Sequence, residues 1–277
     1  MINIGQYNSL RIARFSAHGA YLTDGETEVL LPQKYLKEEM EVGEDLNVFV
    51  YNDSQDRPVA VTTKPLAQVD QFAYLYVKAL TKVGAFVDWG LEKDLLVPFK
   101  EQRFPLQEDR AYIFRLCLDH RSNRVIATTK LFPFFDRDVS ELKEGQEVSM
   151  LVYEKADLGF LAIIDDRYLG LIYDNEVFEP LAVGDKRKGF IKKIRNDGKI
   201  DLALQKQGYE AVEDSKDIII DELIKAGGEL PYHDKSDSEE IKKVFRMSKK
   251  NFKKVVGSLY KAGLIELKEN GIKLKIK

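Results

Sequence analysis

The sequence is poor in cysteine, histidine and long apolar stretches. Its 277 residues contain three histidines and a single cysteine, Cys117. A lone thiol excludes an intrachain disulfide framework and is typical of a reducing compartment, which indicates a cytoplasmic location. The histidines lack the spacing of metal ligands, so we expect no metal site. No stretch approaches the roughly 20 apolar residues of a membrane-spanning helix, so we expect no membrane partner.

Motifs of catalysis are scarce as well. The sequence shows no glycine-rich phosphate loop, no Ser/His/Asp order and no Cys/His set. Two close acidic pairs, Asp165 with Asp166 and Asp136 with Asp138, fall in predicted loops without a histidine or lysine pattern beside them. We interpret them as solvated loop carboxylates. The sequence therefore predicts a protein without enzymatic activity and without a cofactor.

What the sequence does contain is a threefold repeat. The segment GAFVDWG at 84–90 returns as GAYLTDG at 19–25 and, more loosely, as GFLAIID at 159–165. Each copy is followed by an apolar run and closes in a further strand-like segment. Alternating apolar residues with glycine at tight turns, in modules of about 65 residues, are typical of small five-stranded barrels. The repeat predicts three tandem β modules: 1–65, 66–132 and 139–208.

The C-terminal residues change to helical patterns. We expect Asp214 or Ser215 to cap a first helix, which the glycine pair at 227–228 ends. Ser236 begins a capping box for a second helix, and Ser248 caps a third that extends to about residue 262.

A hairpin follows the three predicted helices. Its two strands, 264–268 and 272–276, meet at an Asn-Gly turn. Three helices followed by a hairpin predict a winged helix-turn-helix domain at 212–277.

Positive charge concentrates towards the C-terminal end. Residues 1–183 carry 20 Lys and Arg against 30 Asp and Glu, and residues 184–277 carry 23 against 16. The net charges are therefore 20 − 30 = −10 and 23 − 16 = +7, which add to the −3 of the whole chain. This division indicates a polyanion contacted mainly by the C-terminal part, although a solvated surface gives the same imbalance.

The repeated unit resembles the S1-type OB-fold module of ribosomal and RNA-decay proteins. That module has the pattern FGAFV, then GLVHIS, then a strand of the form GRIxLS. Three such modules followed by a winged helix with MSKKNFKKVVGSLYKAGLI at 247–265 resemble the bacterial conserved virulence factor B family of RNA-binding regulators. The resemblance covers essentially the whole chain.

The resemblance also implies site residues. It assigns base-stacking aromatic rings to Phe86, Phe160 and, in module one, Tyr21. It also aligns the histidine of GLVHIS with Tyr173. In modules one and two that histidine falls on Pro32 and Pro98, which cannot stack as a histidine does. We therefore expect modules one and two to be degraded as RNA readers and module three to be intact.

Stacking rings beside cations are the combination that holds single-stranded nucleic acid. Module three and the third helix of the winged domain supply most of both. The expected RNA-binding residues are Phe160, Tyr173, Lys188, Lys192, Lys193, Arg195, Lys199, Lys249, Lys250, Lys253, Lys254, Phe86 and Arg124.

The resemblance implies single-stranded RNA as the partner, together with the ribosome or the RNA-decay machinery. It implies a role in mRNA stability or translation and in virulence-related gene expression. Three alternatives stay open: a transcription regulator that reads duplex DNA through the winged helix, an accessory subunit of an RNA-processing enzyme, and a scaffold that binds proteins through its acidic half. Duplex DNA ranks below RNA, because an array of single-strand-type modules has no role on a duplex.

Overall fold

The computed structural model describes residues 1–205 and 209–275, with side chains described for 1–205 and 215–275. The chain divides into two compact units, Met1–Phe135 and Asp136–Lys277. The first unit contains modules one and two, and the second contains module three and the winged-helix domain. No helix in the described ranges is long and apolar enough to span a membrane.

Module one is a closed five-stranded barrel. Its strands are β1 (Gln6–Ser16), β2 (Gly19–Thr23), β3 (Glu28–Pro32), β4 (Asp45–Asn52) and β5 (Pro58–Val61). They follow the order β1-β2-β3-β5-β4, in which β3 and β5 pair in parallel through Leu30 and Val59. Residues that alternate along β1, such as Leu10 and Ile12, are buried in the barrel because side chains of a strand point to opposite faces in turn.

Module two has the same sequence of strands, but hydrogen bonds do not close its sheet into a barrel. Its strands are β6 (Phe72–Thr81), β7 (Gly84–Val87), β8 (Leu95–Pro98), β9 (Ala111–Asp119) and β10 (Arg124–Thr128). They form a sheet in the order β10-β9-β6-β7-β8, and its two edge strands, β8 and β10, are neighbours. Phe114 and Leu116 of β9 are fully buried.

Module three closes as module one does. Its strands are β11 (Glu147–Ala156), β12 (Gly159–Ile164), β13 (Tyr168–Tyr173), β14 (Lys186–Ile194) and β15 (Ile200–Ala203). The order is β11-β12-β13-β15-β14, again with one parallel pair, β13 and β15. The prediction of three tandem five-stranded barrel-like modules is confirmed.

The glycine that opens the second strand of each module explains the repeat. All three glycines have positive φ, between 141° and 154°, and each lies directly against the backbone of the next strand. A side chain there would collide with a carbonyl oxygen, so only glycine lets the two strands approach. The glycines, with the distance from an added Cβ to the facing carbonyl oxygen, are Gly19 (Leu31, 2.0 Å), Gly84 (Val97, 2.2 Å) and Gly159 (Ile172, 2.0 Å).

Modules one and two share one hydrophobic core. Trp89 of module two is 2% exposed and packs edge-on against two rings of module one, Phe49 at 5.7 Å and Tyr51 at 5.8 Å between centroids. The indole N–H donates to the carbonyl oxygen of Lys93 at 2.7 Å, so the ring is buried with its polar group satisfied. The two modules therefore form a single packed unit.

The winged-helix domain has three helices and a three-stranded sheet. Its elements are α1 (Tyr209–Lys225), β16 (Glu229–Leu230), α2 (Ser238–Phe245), α3 (Lys249–Lys261), β17 (Ile265–Lys268) and β18 (Gly271–Leu274). The predicted hairpin gains β16 as a third strand, which two residues are too few to signal in the sequence. One apolar face of α3 is buried: Phe252, Val255, Val256 and Leu259.

Two predicted helix starts are wrong. The first helix begins at Tyr209, so Ser215 lies inside it, where it is buried and accepts a hydrogen bond from Asn251 at 3.1 Å. The alternative cap, Asp214, and the predicted strand end at Ile276 lie outside the described side chains. Asp237, not Ser236, caps α2, because its carboxylate accepts two backbone N–H groups, at 2.8 and 3.2 Å.

The close approach of these glycines to a facing carbonyl oxygen leads to a prediction about stability. Replacing Gly159 by alanine should lower the free energy of unfolding by about 3 kcal/mol or more, because a Cβ there meets a backbone oxygen. Gly145→Ala is the matched control, since Gly145 has a φ of 83° but open space around it, and it should cost about 1–2 kcal/mol. Denaturant unfolding of the full chain measures both, and equal losses of stability would contradict the role of the close approach.

Candidate nucleic-acid interface

The strand register confirms one alignment made from the sequence. In each module the opening glycine lies directly opposite the last residue of the third strand, so Tyr173 is the structural counterpart of two prolines. The paired residues are Gly19 with Pro32, Gly84 with Pro98 and Gly159 with Tyr173.

Phe160 does not occupy the position of Phe86. Phe160 follows its glycine directly, as the fully buried Ala85 does, whereas Phe86 stands two residues after its own glycine. Leu161 takes the Phe86 position in module three. Because neighbouring strand residues face opposite ways, this shift of one residue turns Phe160 towards the barrel core, against which it packs. The ammonium of Lys155 lies 4.4 Å from its ring centroid.

Tyr173 is held in a polar cluster at the end of β13. Its hydroxyl accepts a hydrogen bond from Arg195, whose guanidinium lies 5.9 Å from the ring centroid. Arg195 also binds both carboxylate oxygens of Asp201, with its Nε at 3.0 and 3.1 Å. The hydrogen bond to Asp201 raises the pKa of Arg195 above its ordinary value. Tyr173 is half-buried, so part of its ring faces solvent beside a fixed cation.

Most of the expected cations of module three already have carboxylate partners. Besides Arg195, ion pairs engage Lys188, Lys192 and Lys199 within module three. Lys193 is exposed and forms no ion pair within the part of the chain that the structure describes. Module three therefore presents less free positive charge than its sequence indicates. The pairs are Lys188 with Glu147 (2.7 Å), Lys192 with Glu176 (2.5 Å) and Lys199 with Asp197 (2.9 Å).

Phe86 and Arg124 come together in a cleft of about 600 Å³ between modules one and two. Arg124 forms an ion pair there with Asp56, from the last hairpin of module one. Lys93 lines the same cleft, and its ammonium donates to the backbone carbonyl oxygen of Asp53 at 2.7 Å. Burial lowers the pKa of Lys93. Module one thus engages both cations on this side of module two.

The aromatic ring of module one is covered by the chain itself. Tyr21 stands at the Phe86 position of its module, and the guanidinium of Arg14 lies 3.8 Å from its ring centroid. Arg14 also forms an ion pair with Glu28 at 2.7 Å. A base could stack on this face of Tyr21 only after Arg14 moved.

A run of positive charge without ion pairs lies in α2 and α3 of the second unit. Residues 242–261 contain eight Lys and Arg and no Asp or Glu, and within the described ranges none of the eight forms an ion pair. Of the four predicted lysines of α3, Lys249 is half-buried and the other three are exposed. The remaining four were not among the expected RNA-binding residues, although the absence of acidic residues over this stretch marks them. They are Lys242, Lys243, Arg246 and Lys261.

No group of three or more His, Cys, Asp or Glu side chains that could hold a metal ion occurs among the described residues. Beside the half-buried ring of Tyr173 lies the guanidinium of Arg195. Such groups offer charge and stacking rather than metal coordination.

Comparison with known domains defines the class of protein. Residues 4–63 match the family model of the S1 domain, and residues 217–274 match that of the CvfB-like winged helix domain. Both lie within modules that the structure shows as a barrel and a winged helix. The chain is therefore a multidomain protein built from nucleic-acid-binding domains.

Relatives along the whole chain define the family. The YitL protein of Bacillus subtilis is 31% identical over an alignment 278 positions long. The alignment covers 96% of this chain and 92% of the relative. Conserved virulence factor B of Staphylococcus saprophyticus is 27% identical over 260 residues, 89% of this chain and 86% of the relative. A crystal structure from Streptococcus pneumoniae, of a multidomain protein with nucleic acid binding domains, aligns over 99% of both chains with 23% identity and a TM-score of 0.43. The chain belongs to the family of YitL and conserved virulence factor B.

The register of Phe160 is open to a direct test. Phe160→Ala should lower the free energy of unfolding by about 1–3 kcal/mol, because the ring packs on the core of module three. Leu161→Ala, on the outer face, should cost less than about 1 kcal/mol. Denaturant unfolding monitored by circular dichroism measures both. A Phe160→Ala variant that unfolds like the wild type would mean that this ring is exposed and available for stacking.

Proposed function

We propose that this protein is a non-catalytic regulator that binds single-stranded RNA through module three and the winged helix. The observation that carries the proposal is the uncompensated charge of residues 242–261, which lies in the same compact unit as the half-exposed ring of Tyr173. Binding there would act on mRNA stability or translation, with the ribosome or the RNA-decay machinery as a further partner. We infer a regulatory role in virulence-related gene expression, and the name of one relative, conserved virulence factor B, supports the link to virulence.

The proposed binding uses two kinds of contact, base stacking and attraction to phosphates. Tyr173 offers a ring face for a base, and Arg195 beside it is fixed by Asp201 rather than free to follow a ligand. Stacking of this kind tolerates any base, because every base has a π face. Lys250, Lys253 and the other lysines of α3 supply attraction to phosphates, which depends strongly on salt. The proposed surface therefore binds without strict sequence preference.

One observation favours a second candidate, the binding of duplex DNA. The third helix of a winged helix-turn-helix is the element that such domains place in the major groove, and here it exposes lysines. Against this stands the stacking ring of Tyr173, which has no role on paired bases. Competition between labelled single-stranded RNA, single-stranded DNA and duplex DNA at two salt concentrations decides between the two, and a preference for the duplex would overturn the RNA proposal.

If the ring of Tyr173 stacks on a base, its removal should weaken RNA binding. Tyr173→Ala should weaken the binding of single-stranded RNA by about 1–3 kcal/mol, with an unchanged salt slope, because no charge is removed. Tyr173→Phe keeps the ring and should keep most of the affinity. Fluorescence anisotropy with a labelled short RNA measures both variants. The stacking role fails if Tyr173→Ala binds as the wild type does while its melting temperature is also unchanged.

The lysines of α3 predict a change in salt dependence. Replacing Lys249, Lys250, Lys253 and Lys254 by glutamine should leave the fold intact, since the helix propensities of lysine and glutamine are nearly equal. Affinity for single-stranded RNA should fall, and the slope of log affinity against log salt should become shallower by about 0.7 for each phosphate that the variant no longer neutralises.

A variant with the same change of net charge in the first unit is the control. Its four replaced residues are exposed and form no ion pair within the described ranges, and its binding should match the wild type if α3 is the phosphate-binding element. Equal effects of the two quadruple variants would show a response to net charge alone. The control replaces Lys37, Lys64, Lys82 and Arg121 by glutamine.

A further inference from the structure

One residue of the second unit has a backbone conformation that its side chain disfavours. Seven non-glycine residues in the described ranges have positive φ, and six of them are aspartate or asparagine, the types that tolerate this region. The seventh is Arg246, with φ of 52° and ψ of 35°. It ends α2, at a position where helices favour glycine or asparagine. A long charged side chain at this position needs an explanation.

Two backbone hydrogen bonds of Arg246 account for its left-handed conformation, but they do not account for the presence of an arginine side chain. Its N–H donates to the carbonyl oxygen of Lys242 at 2.9 Å, which ends the helix. Its own carbonyl oxygen accepts a hydrogen bond from the side-chain amide of Gln205 at 2.7 Å. Glycine or asparagine could make both hydrogen bonds with less strain. The turn therefore requires the left-handed conformation, and the arginine is an added feature.

The side chain of Arg246 has no partner in the described part of the protein. It is exposed, and its guanidinium forms no ion pair or hydrogen bond there. Its neighbours along the chain are cations rather than carboxylates, since residues 242–250 include four lysines besides Arg246. Lys225, whose pKa is raised by its hydrogen bond to Glu222, also experiences the opposing effect of the like charge of Arg246. The guanidinium therefore adds repulsion to the free protein.

Arg246 lies where the winged helix meets module three. Gln205, which binds its carbonyl oxygen, follows β15 by two residues, so this hydrogen bond joins the two domains. A second contact of α2 is nearby, since the ammonium of Lys242 lies 5.9 Å from the ring centroid of Phe178 in module three. The turn between α2 and α3 is thus attached to the barrel.

We propose that Arg246 binds a phosphate of a single-stranded nucleic acid at the point where the strand passes from module three onto α3. This inference rests on the proposed function and assigns to it a contact at the domain junction. A guanidinium with free N–H donors suits a phosphate, to which it can bind through two parallel hydrogen bonds. The ligand would remove the repulsion among the cations, which the free protein tolerates at the expense of stability.

Two substitutions with different effects on stability test the inference. Arg246→Gly removes the charge and relieves the backbone, so the melting temperature should rise by about 2–4 °C. Arg246→Gln removes the charge and its repulsion but keeps the backbone strain, so its melting temperature should rise less than that of Arg246→Gly. Both should lower the affinity of the full chain for a fluorescein-labelled short RNA about tenfold, with a salt slope shallower by about 0.7.

Arg121→Gln is the matched control. Arg121 is exposed and without an ion pair in the described ranges, but it belongs to the first unit, and its replacement should leave binding unchanged. Wild-type affinity and salt slope in Arg246→Gln would overturn the inference, whatever the melting temperatures. If the wild-type chain does not bind the RNA at all, the proposed function is wrong and the inference about Arg246 is wrong with it. If the lysine variant of α3 weakens binding and both Arg246 variants do not, only the assignment of Arg246 fails.

Discussion

The close approach of a glycine to a facing carbonyl oxygen sets the geometry of all three barrels. With a Cβ only about 2 Å from that oxygen, no other residue fits, so the second and third strands of each module have one register. Register then decides which side chains enter the core and which face solvent, because a shift of one residue exchanges the two faces. Tyr173 lies opposite Gly159 and is half-buried, and Phe160, which follows that glycine, packs against the core of module three.

The three modules share one fold but differ in the charged side chains that surround their aromatic rings and cations. In module one an arginine covers the ring of Tyr21, and in module two the hairpin of module one engages Arg124 through Asp56. Module three leaves Tyr173 half-exposed beside Arg195. Aromatic residue type alone does not separate these cases. The neighbouring charged side chains do, since Arg14 covers one face of the ring of Tyr21, whereas Arg195 leaves part of the ring of Tyr173 exposed.

The sequence was sufficient for the architecture and insufficient for the electrostatics. Repeated glycines and alternating apolar residues predicted three barrel-like modules, because these patterns are local and strongly periodic. The cap residue Ser248 predicted the start of α3. The cations of module three looked free because their partners, such as Glu147 and Glu176, are distant in sequence and meet them only in the folded barrel. Helix starts were also missed, since several adjacent residues can act as caps and tertiary packing selects among them.

The shared core of modules one and two has a practical consequence for dissecting the protein. A cut between these modules would expose an indole and two aromatic rings that now bury one another, so neither half would be a faithful isolated domain. Trp89 is also the only tryptophan of the chain. Its fluorescence therefore reports the unfolding of Met1–Phe135 alone, and circular dichroism of the whole chain adds the second unit. Disagreement between the two signals would separate the stabilities of the two units without any cut.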